Sequence, residues 1–311
     1  MYENNNVILQ QVIDDGSLIW SSEEQHKVSG SEAVKANHSI WNATINRFQQ
    51  IKLWENGTPN FKDDVAQPEP NIIFFPCEGK EVRGTILVSH GGTFVMRAGH
   101  EGFYTAYKFQ KMGYNVAVLT YRLVPYTRGD ALDDCLRAIR VLRYKKDELG
   151  ISDKIAVMGY SAGGMLSGNA ATHYDLGDDE AEDPIERMSS RPDGAVLCYG
   201  AFAESSYPGG MFVNPFDKQK RDDRVFFAVE KNVDINTPPL FIWQTISDDP
   251  RNGMALAKEL TDYGVPFELH FFPDGHHGVG LADGYNDENA NYPHLAHWSM
   301  LAGEWLEMQG L

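Results

Sequence analysis

From about residue 70 onward, hydrophobic positions follow two alternating spacings. Short apolar runs bounded by glycine or polar residues occur at 71–77, 85–90, 115–120, 154–159, 194–199, 239–244 and 267–272. Three of them contain nearly unbroken cores: Ile-Leu-Val-Ser at 86–89, Val-Ala-Val-Leu at 116–119 and Ile-Ala-Val-Met at 155–158. Strands buried on both faces read this way, because neither side of the pleat meets water. Between the runs lie stretches of helical spacing at 130–149, 161–173, 252–263 and 295–309. In the first, Leu132, Leu136, Ile139, Val141 and Leu142 mark an apolar face, with basic residues between and after them. The stretch at 252–263 follows Pro250, a suitable helix opener, and stops before Gly264. Strands alternating with helices predict an α/β fold: a mostly parallel central sheet flanked by helices on both faces.

Residues 1–70 are rich in Asn, Gln and Trp and show only weak periodicity. They are expected to form an N-terminal extension packed on a catalytic domain at 71–311. A segment at about 200–230, with Pro215 and dense charge, is expected to be a small cap-like insertion. Residues 175–184, Asp-Leu-Gly-Asp-Asp-Glu-Ala-Glu-Asp-Pro, hold six carboxylates and no Lys or Arg. Their spacing does not match a calcium loop, so a solvated acidic loop is expected.

At 311 residues the chain can bury one large core, and 42% hydrophobic with 23% charged residues is a globular composition. A net charge of −17 repels phosphates, which argues against nucleic acid or an anionic membrane as partner. No apolar run approaches the length of a bilayer span. Cys77, Cys135 and Cys198 are odd in number and widely separated, as free thiols of a reducing compartment would be. The first residues lack a basic stretch followed by an apolar one, so a cytoplasmic location is expected.

The sharpest chemical signal is Gly159-Tyr160-Ser161-Ala162-Gly163, a G-x-S-x-G sequence set between a buried strand and a helix. A serine on such a tight strand-to-helix turn projects its Oγ above the sheet edge, and small flanking residues let the backbone pass. The pattern is weak alone and far more specific in this context. It marks Ser161 as a nucleophile in an α/β-hydrolase fold. Upstream, the strand at 85–90 runs into His90-Gly91-Gly92-Thr93-Phe94. Acyl transfer builds negative charge on a carbonyl oxygen, and glycine turns let backbone N–H groups approach it. Gly91 and Gly92, with the Ala162 N–H, are the expected oxyanion donors. The His90 side chain is read as a strand-end turn partner and not as a base.

Serine needs a base, and the base an orienting carboxylate, in the chain order Ser, Asp or Glu, His. Thr245-Ile-Ser-Asp-Asp-Pro-Arg251 follows one strand and Phe272-Pro-Asp-Gly-His-His-Gly-Val-Gly280 follows the next. His277 is preferred to His276 because it occupies the His-Gly-x-Gly position. Asp248 is preferred to Asp249, which precedes Pro250 as a natural helix N-cap. The acid stays open between the two. No metal or organic cofactor is called for. Phe94, Tyr160 and Trp243 could narrow an acyl pocket or simply pack the core. Arg97 and His100 could meet a polar alcohol or lie in a solvated loop.

Several segments together resemble the acetyl-esterase and acetylxylan-esterase-like, or BD-FAE-like, branch of the α/β-hydrolase esterases. They are LWENGTPNF at 53–61, QPEP at 67–70, HGGTF, YRLVP at 121–125, GYSAGG, RPDGAVLCYG at 191–200, PPLFIWQT at 238–245, SDD and HHGVG. The resemblance implies a catalytic Ser161, an oxyanion hole around Gly91 and Gly92, and hydrolysis of short acyl esters, with acetyl groups on plant polysaccharide one case. The partner it implies is a small-molecule or acylated-carbohydrate ester. Thr93 departs from the third glycine common in related esterases, and Pro-Arg-Asn after Asp249 departs from their Val-Pro. A peptidase of prolyl-oligopeptidase type uses the same residue order, but it carries a large additional N-terminal domain for which about 70 residues are too few. A catalytically dead receptor on this fold would be expected to lack the serine or the histidine.

Overall fold

Side chains of the central strands alternate between two hydrophobic layers, and this decides where the helices lie. The computed structural model describes residues 2–16, 30–62, 66–79, 82–206, 221–285 and 290–311. Its strands are β1 (Gln50–Lys52), β2 (Asn71–Phe75), β3 (Thr85–Ser89), β4 (Asn115–Thr120), β5 (Ile155–Tyr160), β6 (Gly194–Cys198), β7 (Leu240–Thr245) and β8 (Phe267–Phe272). They form one sheet in the order β1-β2-β4-β3-β5-β6-β7-β8. β2 is antiparallel to both of its neighbours, and all the other pairs are parallel.

The helices are α1 (Glu3–Asp14), α2 (Gly30–Ile45), α3 (Thr105–Lys111), α4 (Arg128–Tyr144), α5 (Lys146–Leu149), α6 (Ala162–Thr172), α7 (Arg221–Phe227), α8 (Arg251–Tyr263) and α9 (Trp298–Met308). A π-helical turn, His100–Tyr104, leads into α3. Leu87 and Val157 share one layer with Ala138 of α4, Met165 of α6 and Leu260 of α8. Their sequence neighbours Val88 and Met158 face the other way, toward Trp41 of α2, Phe109 of α3 and Trp298 of α9. Period-2 alternation in strands that are apolar on both sides thus yields a three-layer α/β/α fold.

No strand is expected before residue 71, yet β1 extends the sheet. Three residues with only Ile51 buried are too few to show a period. The N-terminal helix is hidden for another reason: polar groups help to dock it. Buried Asn5 donates to Gln49 O and Phe74 O, both at 3.0 Å, and accepts from Gln49 N at 2.9 Å. Hydrophobic spacing cannot register such contacts. The helix expected over 130–149 starts earlier, at a capping box in which Thr127 and Asp130 bond each other's backbone N–H, and it breaks at Lys145.

The acidic segment is only partly solvated. Arg137 and Arg140 of α4 reach across to it: Arg137 pairs with Asp183 at 2.5 Å and with Glu186, and Arg140 pairs with Asp175 and, at 3.0 Å, with Glu186. The basic residues of α4 and the carboxylates are far apart in sequence, so their pairing was not visible there. Within the expected cap at 200–230, residues 207–220 lie outside the described residues. Among the described residues, no helix is long and apolar enough to cross a membrane.

Candidate active site

β5 ends at Tyr160 and α6 begins at Ala162, so Ser161 alone reverses the chain. It does so at φ 52° and ψ −116°, a region that a side-chain-bearing residue enters only at an energetic cost. Its N–H donates to Cys198 O at 2.9 Å, and its carbonyl accepts from Met165 N at 3.0 Å. The flanking glycines are required by contact. A Cβ on Gly159 would lie 2.0 Å from Gly163 O, and one on Gly163 would lie 2.1 Å from Ser89 O.

The loops after β7 and β8 converge on this turn. Ser161 Oγ lies 2.8 Å from His277 Nε2, and His277 Nδ1 lies 2.6 Å from Asp248 Oδ1. Asp248 is 8% exposed, and its Oδ2 accepts from Thr245 N at 3.0 Å and Thr245 Oγ1 at 2.9 Å. Burial alone would lower the His277 pKa, but the hydrogen bond and charge of Asp248, with the charge of Glu101, outweigh it and raise the pKa above the usual 6.5. The other member of each doublet is turned elsewhere. Asp249 binds Arg251 through paired contacts of 2.8 and 2.6 Å and also takes the Arg251 backbone N–H. The helix N-cap is Pro250, one residue later than expected. His276 Nδ1 donates to His277 O at 2.9 Å.

The glycine turn abuts the serine: a Cβ on Gly91 would come 3.0 Å from Ser161 Cβ. Its two peptide units present four polar groups. His90 O accepts from Tyr121 OH at 2.7 Å, and Gly91 N–H donates to Glu101 Oε2 at 2.6 Å. Gly91 O accepts from His90 Nδ1 at 2.8 Å and from Ala98 N at 3.2 Å. A carbonyl can only accept, so His90 carries its proton on Nδ1. Burial, reinforced by the nearby Arg97 charge, pulls its pKa down to about 3 and keeps it neutral. Among the described residues, the Gly92 N–H is the group left over. The peptide is planar, so that N–H points opposite to the clamped Gly91 carbonyl. The Gly91 N–H, one of the three expected oxyanion donors, is already engaged by a carboxylate. The turn is also strained: Thr93 and Phe94 have φ of 55° and 58°, a region costly to residues with a side chain, after Gly92 at 117°.

Other residues singled out in the sequence have different surroundings. Arg97 is 3% exposed, binding Tyr121 O at 3.0 Å and His38 Nδ1 at 2.9 Å, so it is neither in a solvated loop nor open to a substrate alcohol. His100 Nε2 donates to Gly278 O at 3.1 Å, bracing the histidine loop. Tyr160 and Trp243 are core residues, and Phe94 lies buried against Tyr121. Glu101, Tyr199 and Thr245 were missed as site residues. The only sequence signal for Glu101 is a single acid in the aromatic stretch His-Glu-Gly-Phe-Tyr-Thr-Ala-Tyr, and nothing local marks the other two.

The BD-FAE family model matches residues 72–195, which run from β2 through the serine turn into β6. Over 300 residues the chain is 31% identical to endo-1,4-beta-xylanase B of Butyrivibrio fibrisolvens, covering 91% of this chain and 44% of that protein. Over 258 residues it is 23% identical to the acetylxylan esterase of Xylanibacter ruminicola, covering 80% of this chain and 51% of that one. The chain therefore spans about half the length of these curated relatives. Among solved structures it resembles the acetyl ester-xyloside bifunctional hydrolase of Caldicellulosiruptor lactoaceticus, with TM-score 0.77, 33% identity, and coverage of 84% of this chain and 96% of that one. With that likeness extending over nearly the whole of a solved relative and the same sheet architecture beneath it, the chain belongs to the BD-FAE-like branch of the α/β-hydrolase esterases.

Proposed function

We propose that this chain is a serine carboxylic-ester hydrolase that cleaves short acyl esters, acetyl esters of carbohydrate foremost, through an acyl-enzyme on Ser161. The observation that carries the reading is the continuous hydrogen-bonded line from Ser161 Oγ through His277 to Asp248. In this scheme His277 Nε2 takes the hydroxyl proton as Ser161 Oγ attacks the ester carbonyl. Asp248 holds the imidazole tautomer and stabilises the imidazolium. The oxyanion is received by the N–H groups of Gly92 and Ala162, the latter at the N-terminus of α6. Collapse expels the alcohol, protonated by His277. Water, deprotonated by the same imidazole, then releases the acid and regenerates Ser161.

The acetyl and carbohydrate part rests on the acetylxylan esterase and the acetyl ester-xyloside hydrolase among the relatives. We read residues 71–311 as the catalytic domain and residues 1–70 as an extension docked on it; the contacts of α1 and β1 with β2 support this. Three free cysteines support a reducing, cytoplasmic compartment.

Purified protein assayed on p-nitrophenyl esters from acetyl to decanoyl, on acetylated xylan and mannan, and on dipeptidyl substrates tests the reading. Acetyl esters are expected to turn over fastest, and Ser161→Ala is expected to lose about 10⁴-fold or more in kcat. A folded Ser161→Ala enzyme with wild-type activity would overturn the acyl-enzyme, and preference for a dipeptidyl substrate would overturn the esterase reading.

A further inference from the structure

Glu101 has no part in the reaction scheme, yet it sits at the centre of the site. It is 2% exposed, and both of its oxygens are held by neutral donors: Oε2 by the Gly91 N–H at 2.6 Å and Oε1 by Tyr199 OH at 2.8 Å. A carboxylate this deeply buried is strongly disfavoured unless hydrogen bonds satisfy its charged form.

Its two bonds end on different loops. Gly91 belongs to the turn that carries the Gly92 N–H, and a Cβ on Gly91 would come 2.5 Å from Glu101 Oε2 and 3.0 Å from Ser161 Cβ. Tyr199, just after β6, donates its hydroxyl proton to Glu101 and accepts the Gly280 N–H at 3.0 Å. Gly280 lies in the loop that carries His277. The Tyr199 ring also meets the His277 ring edge-on, with centroids 5.2 Å apart. The neighbouring His100 holds Gly278 of the same loop. One buried carboxylate therefore links the acceptor side of the site to the base side, although the two come from separate strands.

We infer that Glu101 is a positioning residue: bound to the Gly91 N–H on one oxygen and to Tyr199 on the other, it sets the oxyanion turn against the histidine loop. The inference rests on the esterase reading. Rate then depends on Glu101 through alignment, while substrate affinity does not. Among the described residues, His277 meets Ser161 of the β5 turn, the Tyr199 ring just after β6 and Asp248 of the β7 loop, and Glu101 of the π-helical turn acts on it through its charge. The negative charge of Glu101 favours the imidazolium, so its removal has a signature in pH as well as in rate.

The test compares wild type, Glu101→Gln, Tyr199→Phe and the double variant on p-nitrophenyl acetate across pH, with fluorophosphonate labelling of Ser161. For Glu101→Gln, kcat is expected to fall about 10- to 100-fold, short of losing a whole oxyanion donor, with KM little changed. The acid limb of kcat/KM should move to lower pH. Tyr199→Phe should lower kcat in the same direction, and the double variant should be little worse than Glu101→Gln, because both act through one link. A wild type that neither labels nor hydrolyses sinks the esterase reading and this inference with it. A wild type that does both, beside a folded Glu101→Gln enzyme with unchanged kcat and acid limb, overturns the role of Glu101 alone. If Glu101→Gln does not fold, an unchanged kcat in Tyr199→Phe overturns it.

Discussion

Asp248 and Asp249 are adjacent carboxylates that the turn after β7 aims in opposite directions. Asp248 points inward, and its second oxygen is occupied by Thr245, so the first is free to hold His277 Nδ1 at 2.6 Å. Asp249 points outward to Arg251, which keeps its carboxyl below the usual range. If the proposed mechanism holds, Asp248→Asn leaves the imidazole in the wrong tautomer and lowers kcat about 10⁴-fold, while Asp249→Asn stays near wild type. Steady-state kinetics of the two variants check this. The pH dependence follows from His277. The base must be neutral to accept the serine proton, and its pKa is raised above 6.5 by Asp248 and Glu101. The kcat/KM should therefore be lost as pH falls through a value above 6.5, and a pH profile of the wild type reads that limb directly.

The strand-turn-helix at 155–172 is held by backbone packing, and this is why its sequence pattern is so legible. Gly163 lies against Ser89 O and His90 O, so a methyl group there must displace β3 or the oxyanion turn. Gly163→Ala is expected to destabilise the fold by about 1–3 kcal/mol, measured as a lower midpoint in urea, with activity falling as well. The acidic segment behaves as an element of a different kind. Its order depends on α4 through Arg137 and Arg140, so Arg140→Ala should speed hydrogen exchange over residues 175–186 and leave the amides of β5 and β6 protected. Elements defined by apolar runs, such as β3 and β4, could be bounded in advance because burial on the sheet needs a hydrophobic residue at each inward position. β1 and α1 could not: a three-residue edge strand has no period, and polar Asn5 takes part in docking the helix.

Across the whole molecule, the charge of −17 acts over distances set by salt, with a screening length of about 10 Å at 0.1 M. An anionic ester should meet this field as a barrier. Its kcat/KM is expected to rise between 10 and 300 mM NaCl while that of a neutral acetyl ester stays flat, a comparison that stopped-flow or plate assays can make. The chain by itself determined the alternation of strand and helix, hence a mostly parallel sheet between helices, and it named Ser161, His277, Gly91, Gly92 and Ala162 as the groups of interest, with the acid preferred at Asp248 but open to Asp249. Those properties are local: apolar periodicity and turn chemistry are written in consecutive residues. Only the tertiary structure decided that the Gly91 N–H is occupied, that Arg97 is buried, that α4 clamps the acidic segment, and that Glu101 and Tyr199 lie between the oxyanion turn and the histidine loop. Each of these is a contact between residues tens to about a hundred positions apart or a choice of hydrogen-bond partner, and neither has any period along the chain.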